Sequence, residues 1–340
     1  MSTRPARAKR RETRSRSVKA TSSPAGIIDQ LKQIRDADGD GELTFGGGKT
    51  LAVSNLGKLY FPDDGITKGD VMAYYVAMSR ELLPLIAGRP LILKRYPDGI
   101  DGPFFFQQNA GDKVPDVVRT APVQTERVKR ATRIIGGDLA TLLYLVQIGT
   151  IAIHAWQSRI STPEFADTTT IDLDPGDGVS FSDVVTLARH VKTELDRFGL
   201  RGALKTSGSR GLHIALPLPS RTDFKTAADV ARRISERVAD AHPDLATVER
   251  SIRSRPRGTI YVDAQQNAAG KSVVVAYSVR ERAGATISMP LEWRELRSTL
   301  KLEAFTLTSA PARIKRRGDI WGAAIAERNT KRAVDALLRS

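Results

Sequence analysis

The sequence predicts an α+β fold, with a βαββαβ core of the ferredoxin-like or RNA-recognition type preceded by an N-terminal α/β lobe. Three observations carry that expectation. Four short segments between Thr168 and Ala264 alternate apolar and polar residues with period two, as half-buried strands do. Two longer segments between them have helical length and spacing, and the resulting order is that of a split βαβ unit. Finally, 340 residues exceed the roughly 250 to 300 at which a single core usually stops growing, so a second lobe is expected.

In order, residues 1–25 read as a disordered basic arm, because "RPARAKRRETRSRSVK" has charge but no apolar period. Residues 26–160 form the N-terminal lobe. It opens with a short amphipathic helix after Ile27 and the turn "DADGDGELTFGG". That turn begins like a calcium loop but has Gly47 where a bidentate Glu is required, so a polar turn is expected instead. A strand at "TLAVSN" follows, and Thr67 with Asp70 predicts a capping box for a helix running to about Leu85. "PLILKRYPDG" and "PFFFQQN" read as a strand, a turn and an aromatic edge strand. Phe104, Phe105 and Phe106 cannot all point to one side, which leaves Phe105 in the core with its neighbours opposite, or the reverse, or a platform for a nucleic-acid base.

The catalytic lobe is expected over residues 161–300. It comprises a strand at "TTIDLDP", a helix over Ser182–Phe198, strands at "GALKT" and "LHIALPL", a helix over Phe224–Ala239 and a last strand at "GTIYVDA". A basic tail, residues 301–340, carries "RIKRR" and a helix from Trp321 to Leu338.

Period two sorts the site. Ile171 and Leu173 share one face, Asp172 and Asp174 the other; Leu212, Ile214 and Leu216 oppose His213; Ile260 and Val262 oppose Tyr261 and Asp263. A 4-1-3-2 strand order would bring Asp172, Asp174, His213 and Asp263 onto adjacent strands of the open face. Three carboxylates gathered without a cation repel one another, and Mn2+ or Mg2+ relieves that repulsion while orienting phosphate oxygens. Two such ions roughly 3.5 to 4 Å apart would activate a primer 3′-hydroxyl and steady a leaving pyrophosphate. "TSGSRG" is either a phosphate-cradling turn, with Arg210 as a fork and His213 as a donor, or an ordinary hairpin turn beside a structural histidine. His154 either faces the cleft and a primer terminus or caps the packing around Trp156.

Composition narrows the chemistry. The chain has no cysteine and four histidines, which leaves hard, oxygen-ligated ions as the metals to expect. Lys and Arg exceed Asp and Glu by 53 to 38, a formal charge of +15, and this points to polyanionic partners. No apolar run has the length of a signal peptide or a membrane span, so a soluble protein, cytoplasmic and associated with bacterial chromosomal DNA, is expected. The phosphate-loop signature and the nucleophile elbow of serine hydrolases are missing.

Taken together, "DLDP", "SGSRGLH" and "VDAQQN" resemble the polymerase domain of bacterial ligase D, a member of the archaeo-eukaryotic primase superfamily. "NLGKLYFPDDGITKGDVMAYY", "RPLILKRYPDGIDGPFFFQQN", "IHAWQSR" and "AYSVR" fit the same family in order, from about Leu51 to Trp293. The resemblance implies a primase-polymerase fold with Asp172, Asp174 and Asp263 as metal ligands. It implies that Ser207, Arg210 and His213 hold the incoming NTP or dNTP, supported by Lys94, Gln266 and Arg280. Lys58 and Lys68 would grasp a downstream 5′-phosphate at a gap or broken end, and Phe105 and Phe106 would support the template. Activities implied are short gap filling and end joining, with ribonucleotides and manganese preferred, and possible priming. A separate DNA ligase or end-joining factors would be partners, since no K-x-D-G adenylation motif is present and the chain looks like a stand-alone relative. Departures are Ala264 for an aromatic, Gln108 for a lysine, and Arg210 for a lysine. A metal-dependent nuclease and a noncatalytic nucleic-acid-binding module are the alternatives.

Overall fold

The computed structural model describes residues 23–125 and 128–340; of the basic arm expected over residues 1–25, residues 1–22 lie outside the described residues, and Pro24 and Ala25 already belong to the first helix. Helix α1 (Pro24–Asp36) starts where the Ser23 hydroxyl accepts the Gly26 N–H and a proline occupies the first turn. After it, β1 (Gly41–Thr44) pairs with β2 (Thr50–Val53), and β3 (Leu59–Phe61) with β4 (Ile66–Thr67). The acidic segment ahead of β1 is a turn, in which Asp40 Oδ1 accepts the Asn55 N–H at 2.7 Å.

Helix α2 (Lys68–Ala77) has the capping box expected of Thr67 and Asp70. It does not run unbroken to Leu85. Met78, at φ −95° and ψ 5°, tightens the last turn, and the chain resumes as α3 (Ser79–Ile86) with Pro84 inside it, where one ladder bond is missing. Strands β5 (Leu91–Arg95) and β6 (Phe105–Gln107), the hairpin of β7 (Thr120–Thr125) with β8 (Val128–Ile134), α4 (Leu139–Gln147) and β9 (Thr150–Trp156) follow.

The second half begins with β10 (Phe165–Pro175), α5 (Phe181–Arg197), β11 (Ala203–Thr206), β12 (Leu212–Asp223), α6 (Phe224–Ala241), β13 (Ala246–Thr247) and β14 (Ile260–Asp263). Its sheet runs β14-β10-β12-β11, the expected 4-1-3-2 order. It is extended by β13 beside β14, and beside β11 by β16 (Pro290–Leu291). Ile171, Leu173, Leu212, Ile214, Leu216, Ile260 and Val262 are all buried, in one cluster with Val184, Leu187 and Val191 of α5 and Val230 and Ile234 of α6. Each such side chain contributes about 1.5–3 kcal/mol by leaving water, so the sheet's register is firmly set by its helix-covered face.

The two halves share one apolar core, which extends from Ile27 to Leu337. The strand β15 (Ser272–Val274) returns to pair with β9, giving the first half a sheet of order β15-β9-β5-β6. At the C-terminus, α7 (Ala310–Arg317) carries the "RIKRR" cluster, and α8 (Ile320–Ala326) and α9 (Lys331–Leu338) replace the single helix expected from Trp321 to Leu338. Asp319 and Thr330 each cap a new one with their side chains. These helices bury Trp321 and Leu337, and Tyr277 donates its hydroxyl to Asp319 at 2.6 Å.

Candidate active site

One residue from each of four neighbouring strands forms a straight row across the open face of the main sheet. Lys205 of β11 is the register partner of His213 on β12, His213 of Asp172 on β10, and Asp172 of Asp263 on β14. Antiparallel partners project to the same side, so the pleat that buries Leu173 and Ile214 also aligns these four polar groups. His213 Nε2 lies 3.4 Å from Asp172 Oδ1. Asp174, two residues further on the same face, is the most exposed of the acids.

Asp172, Asp174, Asp263 and His213 line one cavity of about 580 Å³, together with Ser207, Arg210, Gln266, Arg280, His154 and Phe106. Of the residues expected at the site, Lys94, Phe105, Lys58 and Lys68 stand outside the walls of this cavity.

The carboxylates are not electrostatically equal. Burial opposes ionisation of Asp172, but His213, Lys205 and Arg280 outweigh it and hold the acid below its ordinary range. Asp174 is pushed the other way, first by burial and then by the charge of Asp172, with Asp263 adding a little more. Negative charge there is incompletely compensated, and the donors are all hard oxygens, as magnesium or manganese requires. Among the described residues, however, no three His, Cys, Asp or Glu side chains converge into a ready-made metal cage. Asp263 Oδ1 is occupied by the Tyr261 hydroxyl at 3.3 Å and the Gln265 N–H at 2.6 Å, and an Arg255 nitrogen lies 3.9 Å from Asp174. The donor set therefore fits such ions, while its carboxylates are turned partly toward protein partners.

The turn after β11 is packed tightly against β10. Gly208 has φ +73°, which favours glycine, and a Cβ on Gly211 would overlap the Leu173 carbonyl oxygen. Ser207 Oγ accepts the N–H groups of Ser209 and Gly211 at 3.1 and 3.2 Å, so in this arrangement the hydroxyl holds the loop. Arg210 reaches across to the Pro175 carbonyl at 3.2 Å and lies 3.6 Å from Asp177, with more than half its side chain exposed. Arg280 donates to the Ser207 carbonyl, which ties the loop to the chain after β15.

Behind the loop lies a buried ionic cluster. Glu281 accepts Lys94 Nζ at 2.8 Å and lies 3.4 Å from Arg280 Nε, and the two cations overcome burial to bring its carboxyl down to about 2. The sequence reading missed Glu281, whose lysine partner is 187 positions away and left no local signal. His154 is half-buried, its Nε2 wholly so and without a partner, and burial followed by Arg280 pushes it down to about 3, so it lines the cavity as a neutral imidazole. Gln266 lends its carbonyl to Gln157, and the buried Asn267 clamps the turn after β14 through paired bonds to Thr170, its Oδ1 accepting the N–H and its Nδ2 donating to the carbonyl, each at 2.7 Å. Lys205, also missed, is 2% exposed. Its available signal was a lysine inside the short strand "GALKT", on the opposite face from Leu204.

The three phenylalanines are not core residues in either alternation: Phe104, Phe105 and Phe106 are 51, 46 and 63% exposed. Phe105 and Phe106 sit on the outermost strand of their sheet, where alternation buries neither face, and Phe104 directly precedes it. Phe104 packs on Tyr96 and Phe106, with Lys94 Nζ 4.2 Å from its ring centre, and Phe105 lies beside Arg95.

Lys58 and Lys68 lie near each other, the Lys68 N–H donating to the Lys58 carbonyl at 2.8 Å. Lys58 pairs with the exposed Asp98 at 2.7 Å. Lys68 is 5% exposed and donates to the Ser54 carbonyl at 2.8 Å and to both oxygens of Gln147, with burial first and Lys58 second bringing it down to about 8. A second groove of about 560 Å³ leaves the main cavity through Gln108, Gly270 and Lys271 and continues past Lys129, Arg130 and Arg133. It is lined by four cations and no carboxylate.

With this geometry in hand, comparison with known proteins gives a consistent result. The family described as "LigD, primase-polymerase domain" matches residues 67–321. The multifunctional non-homologous end joining DNA repair protein LigD of Mycobacterium tuberculosis is 32% identical over 280 residues, 79% of this chain and 36% of that protein. The bifunctional non-homologous end joining protein LigD of Bacillus subtilis is 32% identical over 269 residues, 79% of this chain and 43% of that protein. The chain thus spans well under half the length of these relatives. A solved structure, the polymerase domain from Mycobacterium tuberculosis ligase D in complex with DNA, aligns with TM-score 0.75 and 30% identity, covering 82% of this chain and 99% of that one. Among the described residues no helix is long and apolar enough to cross a membrane. The chain belongs to the LigD primase-polymerase family.

Proposed function

We propose that the protein is a DNA-dependent nucleotidyltransferase that adds nucleotides, preferentially NTPs, to a primer 3′-hydroxyl at short gaps or broken ends. Family membership supports a primase-polymerase role and enzymatic activity in general. The observation that carries the specific reading is the shared placement of Asp172, Asp174 and Asp263 on adjacent positions of one cavity wall, next to a glycine-rich turn and a cation-lined groove.

In this reading Asp172, Asp174 and Asp263 would hold Mn2+ or Mg2+, two ions in all. When bound, these ions would make the primer hydroxyl more acidic, easing its deprotonation, and would neutralise charge on the transferring phosphate. The chain's own residues do the rest. Arg210, whose guanidinium is half in solvent, swings from Pro175 to fork onto triphosphate oxygens. His213 lines the same cavity, while Arg280 fixes the Ser207 turn and Lys94 is held in place by Glu281. Phe106 on the cavity wall, with Phe105 beside it, offers an exposed aromatic surface for the template base. Lys58 and Lys68 would receive a downstream 5′-phosphate, and a separate ligase would seal the product.

The test is a labelled primer on gapped DNA, with and without a downstream 5′-phosphate, given NTPs or dNTPs with each metal in turn. Extension, stronger with the phosphate and with NTPs, is expected. Shortening of the primer would indicate a nuclease instead, and binding without turnover would indicate a noncatalytic module.

A further inference from the structure

The least expected group beneath the site is the buried Lys205. Taking an ammonium out of water costs several kcal/mol, so a position serving the core alone would carry an apolar residue, as Leu204 beside it does. Its contacts run in one direction. The Ser288 hydroxyl donates to the Thr206 carbonyl at 2.9 Å, which leaves only lone pairs for Lys205 Nζ at 2.7 Å. The same Nζ lies 2.8 Å from His213 Nδ1, and the Trp321 ring covers this end of the row with its centre 6.0 Å away.

We propose that Lys205 is a positioning residue for the nucleotide site: by donating to His213 Nδ1, it fixes that imidazole as the Nε2–H tautomer aimed at Asp172 and the cavity. The opposite tautomer would set the Nε2 lone pair against the Asp172 carboxylate, 3.4 Å away, and make two acceptors face each other. The observed chain, from the Thr206 carbonyl through Ser288, Lys205 and His213 to Asp172, has one donor and one acceptor at every link. A hydrogen-bond donor is therefore preset where charge on a bound triphosphate would develop, and no proton needs to be rearranged when it arrives. That last step rests on the nucleotidyl-transfer reading; the tautomer assignment does not.

Four histidines make the question accessible to long-range proton–nitrogen NMR correlation of the full chain, with His213 assigned by loss of its signals in His213→Gln. The wild-type protein should show His213 protonated at Nε2, with Nδ1 a hydrogen-bonded acceptor. In Lys205→Met, which removes the donor at similar length, the signals should move toward a mixture of tautomers. The kcat/KM for the nucleotide should fall about 10-fold with the affinity for gapped DNA unchanged. An Nδ1-protonated His213 in the wild type would overturn the proposal, and this arm needs no variant to fold. So would a folded Lys205→Met with the wild-type tautomer and with kcat/KM within about twofold of the wild-type value. Absence of any incorporation by the wild-type enzyme would instead overturn the nucleotidyl-transfer reading, and the spectra would still decide the role of Lys205.

Discussion

Asp172 and Asp263, separated by 91 positions in the chain, are direct cross-strand partners on β10 and β14. Both sit on the face opposite Leu173 and Val262, and Asp174 follows on the same side. Two strands therefore deliver three acids to one wall, where the surrounding residues hold Asp172 below its ordinary range and push Asp174 above it.

The Glu281 carboxylate is the hinge of the cluster behind the glycine-rich turn. Glu281→Gln leaves Lys94 and Arg280 without their counter-charge in a largely dry setting, and destabilisation of about 3 kcal/mol is expected from urea unfolding. The same variant should raise the KM for the nucleotide more than it lowers kcat, because both cations lose their anchor while the acidic row is untouched.

Lys68 gives the 5′-phosphate preference a pH dependence. Its pKa is brought down to about 8, so the free enzyme presents a cation below that pH and a neutral amine above it. A bound phosphate favours the ammonium, so the preference for a phosphorylated gap should be full below pH 8 and decline as pH rises beyond it. In Lys68→Arg the decline should disappear, whereas Lys68→Ala should lose the preference at every pH. The linkage to folding has the opposite sense. The unfolded chain binds the Lys68 proton more tightly, so this group makes stability rise between about pH 8 and 10.5, and a stability curve separates the two effects.

The cation-lined groove beside Gln108 should carry a nucleic-acid strand through phosphate contacts. Lys271→Ala and Arg130→Ala are each expected to reduce the slope of log affinity against log salt by about 0.7 on single-stranded DNA, independent of sequence. Unchanged slopes would place the strand elsewhere.

Much of this was legible in the sequence, for identifiable reasons. The βαββαβ core announced itself because one face of each strand is buried by helices, so the apolar period also assigned Asp172, Asp174, His213 and Asp263 to the other face. The capping box at Thr67 was legible because it is local. What escaped was nonlocal. The strands β15 and β16 are three and two residues long and acquire their pairing from β9 and β11. Lys205 looked like an ordinary strand lysine until its register partner proved to be His213. The phenylalanines were weighed as core because apolar residues are usually buried, but an edge strand leaves both of its faces free. Family resemblance named Lys68 without showing that it is buried against carbonyl groups.

The central claim is that Asp172, Asp174 and Asp263 act together as the reaction's acidic centre. It is tested most directly by primer extension and DNA binding measured side by side for Asp174→Ala, the acid whose loss disturbs the fewest protein contacts. The account predicts incorporation reduced by at least about 1,000-fold with either metal, and affinity for gapped DNA within about threefold of the wild type. Extension at close to the wild-type rate would contradict it.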